Sequence, residues 1–311
     1  MDSDAIECVG VARKFGVRNA VSDLNLAVPR GSVFGFLGPN GAGKTTTVRM
    51  LVGMLRPSAG TIRVLGHDPR AEGDWIRAHA GVMLDNVGLY DRLSAEQNLE
   101  FAARVARLSP AEGRRRLEAQ LRRVDLWDRR RDRVSGFSKG MRQKLGLARA
   151  LIAEPELLIL DEPTAGLDPS NIVMVRELLV SLAEESGRTI FLCTHLLAEA
   201  QRICDQVAII QQGKILATGD PHRLGGQGLP TVRLTLTGVG AETINQLVLP
   251  EPVRLESLGG REWRAVVAAE EDVETIVRAL VAAGVGVRAV IPEQVSLEEE
   301  YLRLVGGDSH V

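Results

Sequence analysis

Eight consecutive residues carry the clearest chemistry in the chain: Gly38-Pro39-Asn40-Gly41-Ala42-Gly43-Lys44-Thr45, a full G-x-x-x-x-G-K-[ST] run. Glycines at these places let backbone N–H groups turn inward around phosphate oxygens, and a helix starting at the end of the run presents its positive dipole end to the same anion. Lys44 adds a mobile cation for β- and γ-phosphates, Thr45 a hydroxyl able to ligate Mg²⁺, and Thr46 continues the same turn. Only five lysines occur (Lys14, Lys44, Lys139, Lys144 and Lys214), so one at a motif position carries weight. The rival dinucleotide order G-x-G-x-x-G is absent here.

Two further segments supply groups that cleave rather than hold. Leu157-Leu158-Ile159-Leu160 is an apolar run ending in Asp161-Glu162, the pattern of a central parallel strand whose C-terminal edge meets a ligand. Asp161 suits Mg²⁺ held through water; Glu162 suits the orientation and deprotonation of an attacking water opposite the leaving group. Thr189-Ile190-Phe191-Leu192-Cys193-Thr194 is a second such strand and delivers His195, whose imidazole can hydrogen-bond a γ-phosphate. Taken alone, each has an ordinary reading, an acidic turn or a turn histidine. Taken in order, phosphate loop, acidic strand and histidine strand describe one polyphosphate-hydrolysing site. Residues 32–37 then read as the buried strand feeding the loop and 46–52 as the start of the helix leaving it. All three groups fall at strand C-termini of a parallel α/β sheet.

With Phe137-Ser138-Lys139-Gly140-Met141 ahead of the acidic strand, these elements resemble an ABC-transporter ATP-binding subunit of the drug-exporter (ABC-2-type) branch, over residues 5–220. The resemblance implies an α/β P-loop NTPase fold in an ATP-binding domain at 1–222: a RecA-like parallel sheet with an N-terminal antiparallel β part and a helical subdomain inserted at about 85–145. It implies ATP and Mg²⁺ as ligands and a homodimer with head-to-tail ATP sites, in which Ser138 and Gly140 cap the nucleotide on the opposite subunit. It also implies an integral membrane permease as partner, no nucleic acid, and a cytoplasmic position at the inner face of the cell membrane, powering export of a drug or antibiotic. Phe15 resembles the aromatic that stacks on adenine. Asp168, in Ala165-Gly166-Leu167-Asp168, resembles the polar contact of the loop coupling the two sites, ahead of a helix read at 172–182. Ser138 is a fitting N-cap, with Met141, Leu145, Ala148 and Leu151 following at helical spacing. Two positions depart from the family. Asp85 stands where a metal-touching glutamine is usual, and Lys139 replaces the first glycine of the serine–glycine motif. Asp85 can still reach the metal through water, and Lys139 is either an extra positive charge near the opposite γ-phosphate or a solvated side chain. A non-transport ABC ATPase acting on ribosomes or DNA is the alternative. Such proteins resemble two fused cassettes or carry long coiled-coil insertions, against one phosphate loop and no long heptad run here.

The remaining composition is neutral ground. Basic (38) and acidic (40) residues nearly cancel, so no global field draws the chain to nucleic acid or anionic lipid. Cys8, Cys193 and Cys204 lack disulfide or metal spacing and read as packing residues of a reducing compartment. No apolar stretch approaches the roughly 18 residues that cross a bilayer, and the acidic start is unlike a secretory signal. A helical pattern runs from Asp85 to about Val134, its arginines interleaved with Glu and Asp as on a solvated face. A Gly- and Pro-rich linker at 223–230 precedes a small α/β accessory domain at 231–311, where Val232, Leu234 and Leu236 alternate and Val273, Ile276, Val277 and Leu280 recur at helical spacing. A last helix opens at Ser296-Leu297. Nothing in this tail has the pattern of catalysis.

Overall fold

In the computed structural model, residues 4–224, 231–237, 253–267, 271–293 and 297–306 are described, and they form two compact units, Met1–Pro221 and His222–Val311. The first unit opens with a long hairpin, β1 (Ile6–Phe15) and β2 (Arg18–Val28), in which buried and exposed residues roughly alternate, as in a sheet with one dry face. Next come β3 (Val33–Leu37), α1 (Lys44–Leu51), β4 (Ala59–Val64), α2 (Pro69–His79) and β5 (Ala80–Met83). Helices α3 (Ala95–Val105), α4 (Pro110–Arg123) and α5 (Lys139–Leu151) follow, then β6 (Leu157–Asp161), α6 (Pro169–Ser186), β7 (Thr189–Thr194), α7 (Leu197–Ile203), β8 (Gln206–Gln211) and β9 (Lys214–Gly219).

Every residue of β3, β6 and β7 is buried, which follows from apolar runs covered on both faces. They lie in a six-stranded sheet of order β5-β6-β7-β3-β8-β9, parallel except for the final β8–β9 pair. Register places Leu37 beside Thr194 and Asp161 beside Cys193, so the strands end level and release their next residues at one edge. A separate antiparallel sheet, β2-β1-β4, packs into the same core, where Phe34 and Phe36 meet Phe191 at centroid distances of 6.1 and 5.4 Å.

Helix boundaries differ from the sequence reading where caps decide them. Residues 85–93 are loop and turn, because α3 begins only after Ser94, whose hydroxyl accepts from Gln97 N while the Gln97 side chain accepts from Ser94 N. Helix α6 begins at Pro169 instead of 172 and runs to Ser186, because Asp168 caps it, Pro169 fits its first turn and Gly187 ends it in the left-handed region. The three cysteines are free and buried, and burial raises all three thiols, Cys8 to about 12. No helix among the described residues is long and apolar enough to cross a membrane.

The second unit contains β10 (Thr231–Thr237), β11 (Arg254–Gly259), β12 (Glu262–Val266), α8 (Glu271–Ala282), β13 (Gly286–Glu293) and α9 (Leu297–Gly306). Its antiparallel sheet, β11-β12-β10-β13, has the strand order of a split βαβ fold. Val232, Leu234, Leu236, Trp263 and Ala265 form its inner face against Ile276 and Leu280 of α8. Gly225 to Pro230 of the expected linker, and Ser296, lie outside the described residues.

The level strand ends depend on close packing behind β3. A β-carbon on Gly35 would stand 2.9 Å from both Cys204 Sγ and Val207 Cγ1. Gly35→Ala should therefore cost about 1–3 kcal/mol through overpacking, read in a thermal melt as a fall of about 3–10 °C.

Candidate functional site

The glycine run turns between β3 and α1 in a conformation that side chains would forbid. Gly41 and Gly43 have φ of +81° and +116°, and a β-carbon on Gly43 would lie 2.7 Å from the Ala20 carbonyl. At Gly38 it would run into the Ile210 carbonyl. With these cradles open, the loop borders a cavity of about 460 Å³ that also receives Phe15, Asp85, Asp161, Glu162 and His195.

Charge is concentrated at one end of this cavity. Lys44 Nζ donates to the carbonyls of Gly38 (2.6 Å) and Pro39 (3.3 Å) and stands 3.2 Å from Glu162 Oε1, with both side chains buried. That oxygen has no hydrogen bond of good geometry, so its contact with Lys44 is charge attraction. The other oxygen, Oε2, lies 2.9 Å from His195 Nδ1 and accepts a longer bond from Thr194 Oγ1 at 3.4 Å. The imidazole therefore faces Glu162. The Glu162 backbone is left-handed, φ +53°, which a non-glycine residue adopts at some cost. Its N–H donates to Cys193 O, and its carbonyl accepts from Gln143 Nε2 at 2.9 Å, which fixes that turn from two sides.

Asp161 shows how a cation would fit. Thr45 Oγ1 donates to Asp161 Oδ2 at 2.7 Å, while Oδ1 is buried with no hydrogen-bond partner. Burial raises the Asp161 carboxyl above its ordinary range, and the charges of Glu162 and Asp85 raise it further, against the Thr45 bond and the Lys44 charge, which lower it. A hard divalent cation is the complement of a threonine hydroxyl and an orphaned carboxylate oxygen. Asp85 borders the same space, so these residues fit Mg²⁺.

Phe15 is 48 % exposed, and the Arg13 guanidinium lies 4.6 Å from its ring centre. Arg13 is not among the residues lining the cavity, which leaves Phe15 to meet a flat ligand there.

Ser138, Gly140 and Asp168 do not reach this cavity; they lie together elsewhere on the same unit. Ser138 Oγ accepts from Met141 N at the start of α5. Gly140 faces Leu167 and Asn171. The Asp168 carboxylate accepts from Ser170 Oγ and from both nitrogens of Asn171, which pulls its pKa down to about 2. Lys139 lies along Gly166 of its own chain, a position open only because residue 166 has no side chain.

The sequence reading passed over Gln143 and Arg18. Gln143 follows Ser138 on the core-facing side of α5, where a buried amide is itself a sign that something polar waits beneath it.

Comparison with known proteins gives the same assignment at several levels. A family model described as ABC transporter matches residues 21–165. The daunorubicin resistance ATP-binding protein DrrA3 of Streptomyces coeruleorubidus is 37% identical over 328 residues, covering 100% of this chain and 99% of that protein. The Nod factor export ATP-binding protein I of Rhizobium johnstonii is 36% identical over 304 residues, covering 97% and 95%. A solved structure titled as the ATP binding subunit of an ABC transporter superposes with a TM-score of 0.66 at 34% identity, covering 72% of this chain and 92% of that one.

A carboxyl held above its unfolded value costs the fold stability at all pH above its folded value, and the cost disappears below the unfolded one. For Asp161 the ordinary value is 3.8. At neutral pH, Asp161→Asn should therefore melt higher than the parent without nucleotide, with the difference closing as the pH falls toward 3.8. It should also lose the stabilisation that MgATP gives the parent, about 2.7 kcal/mol at a hundredfold excess over Kd. Calorimetric melts with and without MgATP, over a pH series, measure both.

Proposed function

Since this chain belongs to the ABC transporter family and is an ATP-binding subunit of it, we propose that it hydrolyses MgATP within a homodimer and so drives export through a separate membrane permease, at the cytoplasmic face of the membrane. The observation carrying this reading is the convergence of Lys44, Glu162 and His195 at the level ends of β3, β6 and β7.

The geometry supports a division of labour. Residues Gly38 to Thr46 hold the phosphates, with Lys44 transferring its attraction from Glu162 to the incoming terminal phosphate. Glu162, freed from that pair, keeps its carboxylate at the strand end to orient water and take its proton. His195 then turns from Glu162 Oε2 toward the γ-phosphate. Thr45, Asp161 and Asp85 would hold Mg²⁺, which supplies charge neutralisation on the phosphate oxygens when bound. Phe15 stacks on adenine. Ser138 and Gly140 cap the nucleotide of the second subunit, and Asp168 orders the loop beside them.

A groove of about 740 Å³ supports the permease assignment. Met54, Trp75, Phe101 and Val105 are 58, 37, 46 and 67 % exposed along it, an apolar stripe outside the nucleotide cavity. Arg149 on its wall is half-desolvated, which lowers its pKa, and donates to the Gly88 carbonyl. Two relatives named for daunorubicin resistance and Nod factor export favour outward transport. They do not favour the ribosome or DNA alternative.

Glu162→Gln should bind ATP yet lose at least about a hundredfold in phosphate release, with the ATP-bound dimer accumulating on size-exclusion chromatography. Turnover at the parental rate would remove Glu162 from the role. Separately, Phe101→Glu should abolish co-purification of the permease while the isolated subunit keeps its hydrolysis rate. Retained association would place the docking surface elsewhere.

A further inference from the structure

We propose that Arg18 is a phosphate-binding residue of the nucleotide site, pairing with the phosphates that ATP and ADP share. Arg18 is directly opposite Phe15 across the β1–β2 turn, so one hairpin tip offers an aromatic ring and a guanidinium to the same ligand. Both residues line the nucleotide cavity. The guanidinium also crosses the phosphate loop, its Nη2 3.9 Å from where a β-carbon on Gly41 would stand. It borders an adjoining recess of about 320 Å³, between Asn19, Asn40, Gly41 and Gln211, and no carboxylate lines that recess.

Two features make this more than proximity. Among the described residues Arg18 has no hydrogen-bond or ion-pair partner, whereas Arg13 on the same hairpin donates to the Arg56 carbonyl and covers Phe15. Many of the exposed arginines of α4 are likewise tied to glutamates. An unpaired guanidinium beside the glycine loop has its donors available to an anion, and its planar fork suits phosphate oxygens. Position selects which phosphate. The carboxylates and Lys44 mark the terminal-phosphate end, while Arg18 sits on the Phe15 side of the loop, where the phosphates nearer the nucleoside must lie.

The inference rests on the ATP-binding reading of this cavity, and the test separates the two. Calorimetric titration with ATP, ADP and adenosine, in EDTA to prevent turnover, would compare the parent with Arg18→Ala, Arg18→Lys and Lys44→Ala. Arg18→Ala should weaken ATP and ADP alike by about five- to tenfold at low salt. The loss should narrow in 0.5 M salt as screening takes over. Adenosine affinity and the nucleotide-free melting temperature should not move, and lysine should restore much of the loss. Unchanged affinity in Arg18→Ala would overturn the proposal, as would a loss confined to ATP, which puts the guanidinium at the terminal phosphate. A salt-independent loss shared by adenosine would overturn it too, making Arg18 a prop for Phe15. A parent that binds neither nucleotide would sink the cavity reading itself, and Arg18 with it.

Discussion

Lys44 and Glu162 stand 3.2 Å apart where water hardly reaches, and that buried pair sets the terms for everything around it. Two charges withdrawn from water lose several kcal/mol of hydration each, and their mutual attraction returns it only when geometry is good. Burial raises the Asp161 carboxyl beside this pair, and the charges of Glu162 and Asp85 raise it further, so positive charge is scarce. The site is held together yet short of cations. Lys44 suits an anion and the carboxylates suit a cation, the two charges that a polyphosphate with a divalent ion carries. Each member of the pair is thus a placeholder for the other's counter-charge.

Backbone devices keep that placeholder in position. A left-handed turn at Glu162 follows directly on the end of β6 at Asp161. Cys193 O and Gln143 Nε2 hold the turn by its N–H and its carbonyl. Gln143 lies on α5, whose first turn carries Ser138, Lys139 and Gly140. Any shift of α5 therefore reaches the carbonyl of Glu162 through one hydrogen bond. The same helix start leans on Gly166 and Leu167, which lead into the Asp168 cap of α6. A contact at the serine–glycine motif and the conformation of the water-facing glutamate are mechanically linked by packed, named groups.

Much of this was legible in the sequence because the determining residues are adjacent in it. The phosphate loop is one uninterrupted run, and β6 and β7 announce themselves as apolar runs with polar residues at the end. The α/β class and the order of the three groups follow from that alone. What escaped depends on through-space neighbours. Arg18 is unremarkable as a letter and becomes notable only when the hairpin places it across from Phe15 and over Gly41. Gln143 looked like one more polar residue of an amphipathic helix until its partner turned out to be a backbone carbonyl 19 positions away. Helix limits were misjudged at Ser94 and Asp168, where a single side-chain cap outweighs apolar periodicity. Of the two readings of Lys139, the structure agrees with the solvated one: the side chain is exposed, and it rests along Gly166 of its own chain.

Strand order has a consequence for how the protein comes into being. In the sheet β7 lies between β3 and β6, so the loop-bearing strand and the carboxylate-bearing strand are not neighbours. During translation the glycine loop emerges early and the carboxylates later, but the strand that pairs with both of theirs, Thr189–Thr194, is made after them. A ribosome-bound chain stopping short of that segment would carry both motifs without the strand that sets them level. Completion of the site therefore waits on a segment that carries neither motif.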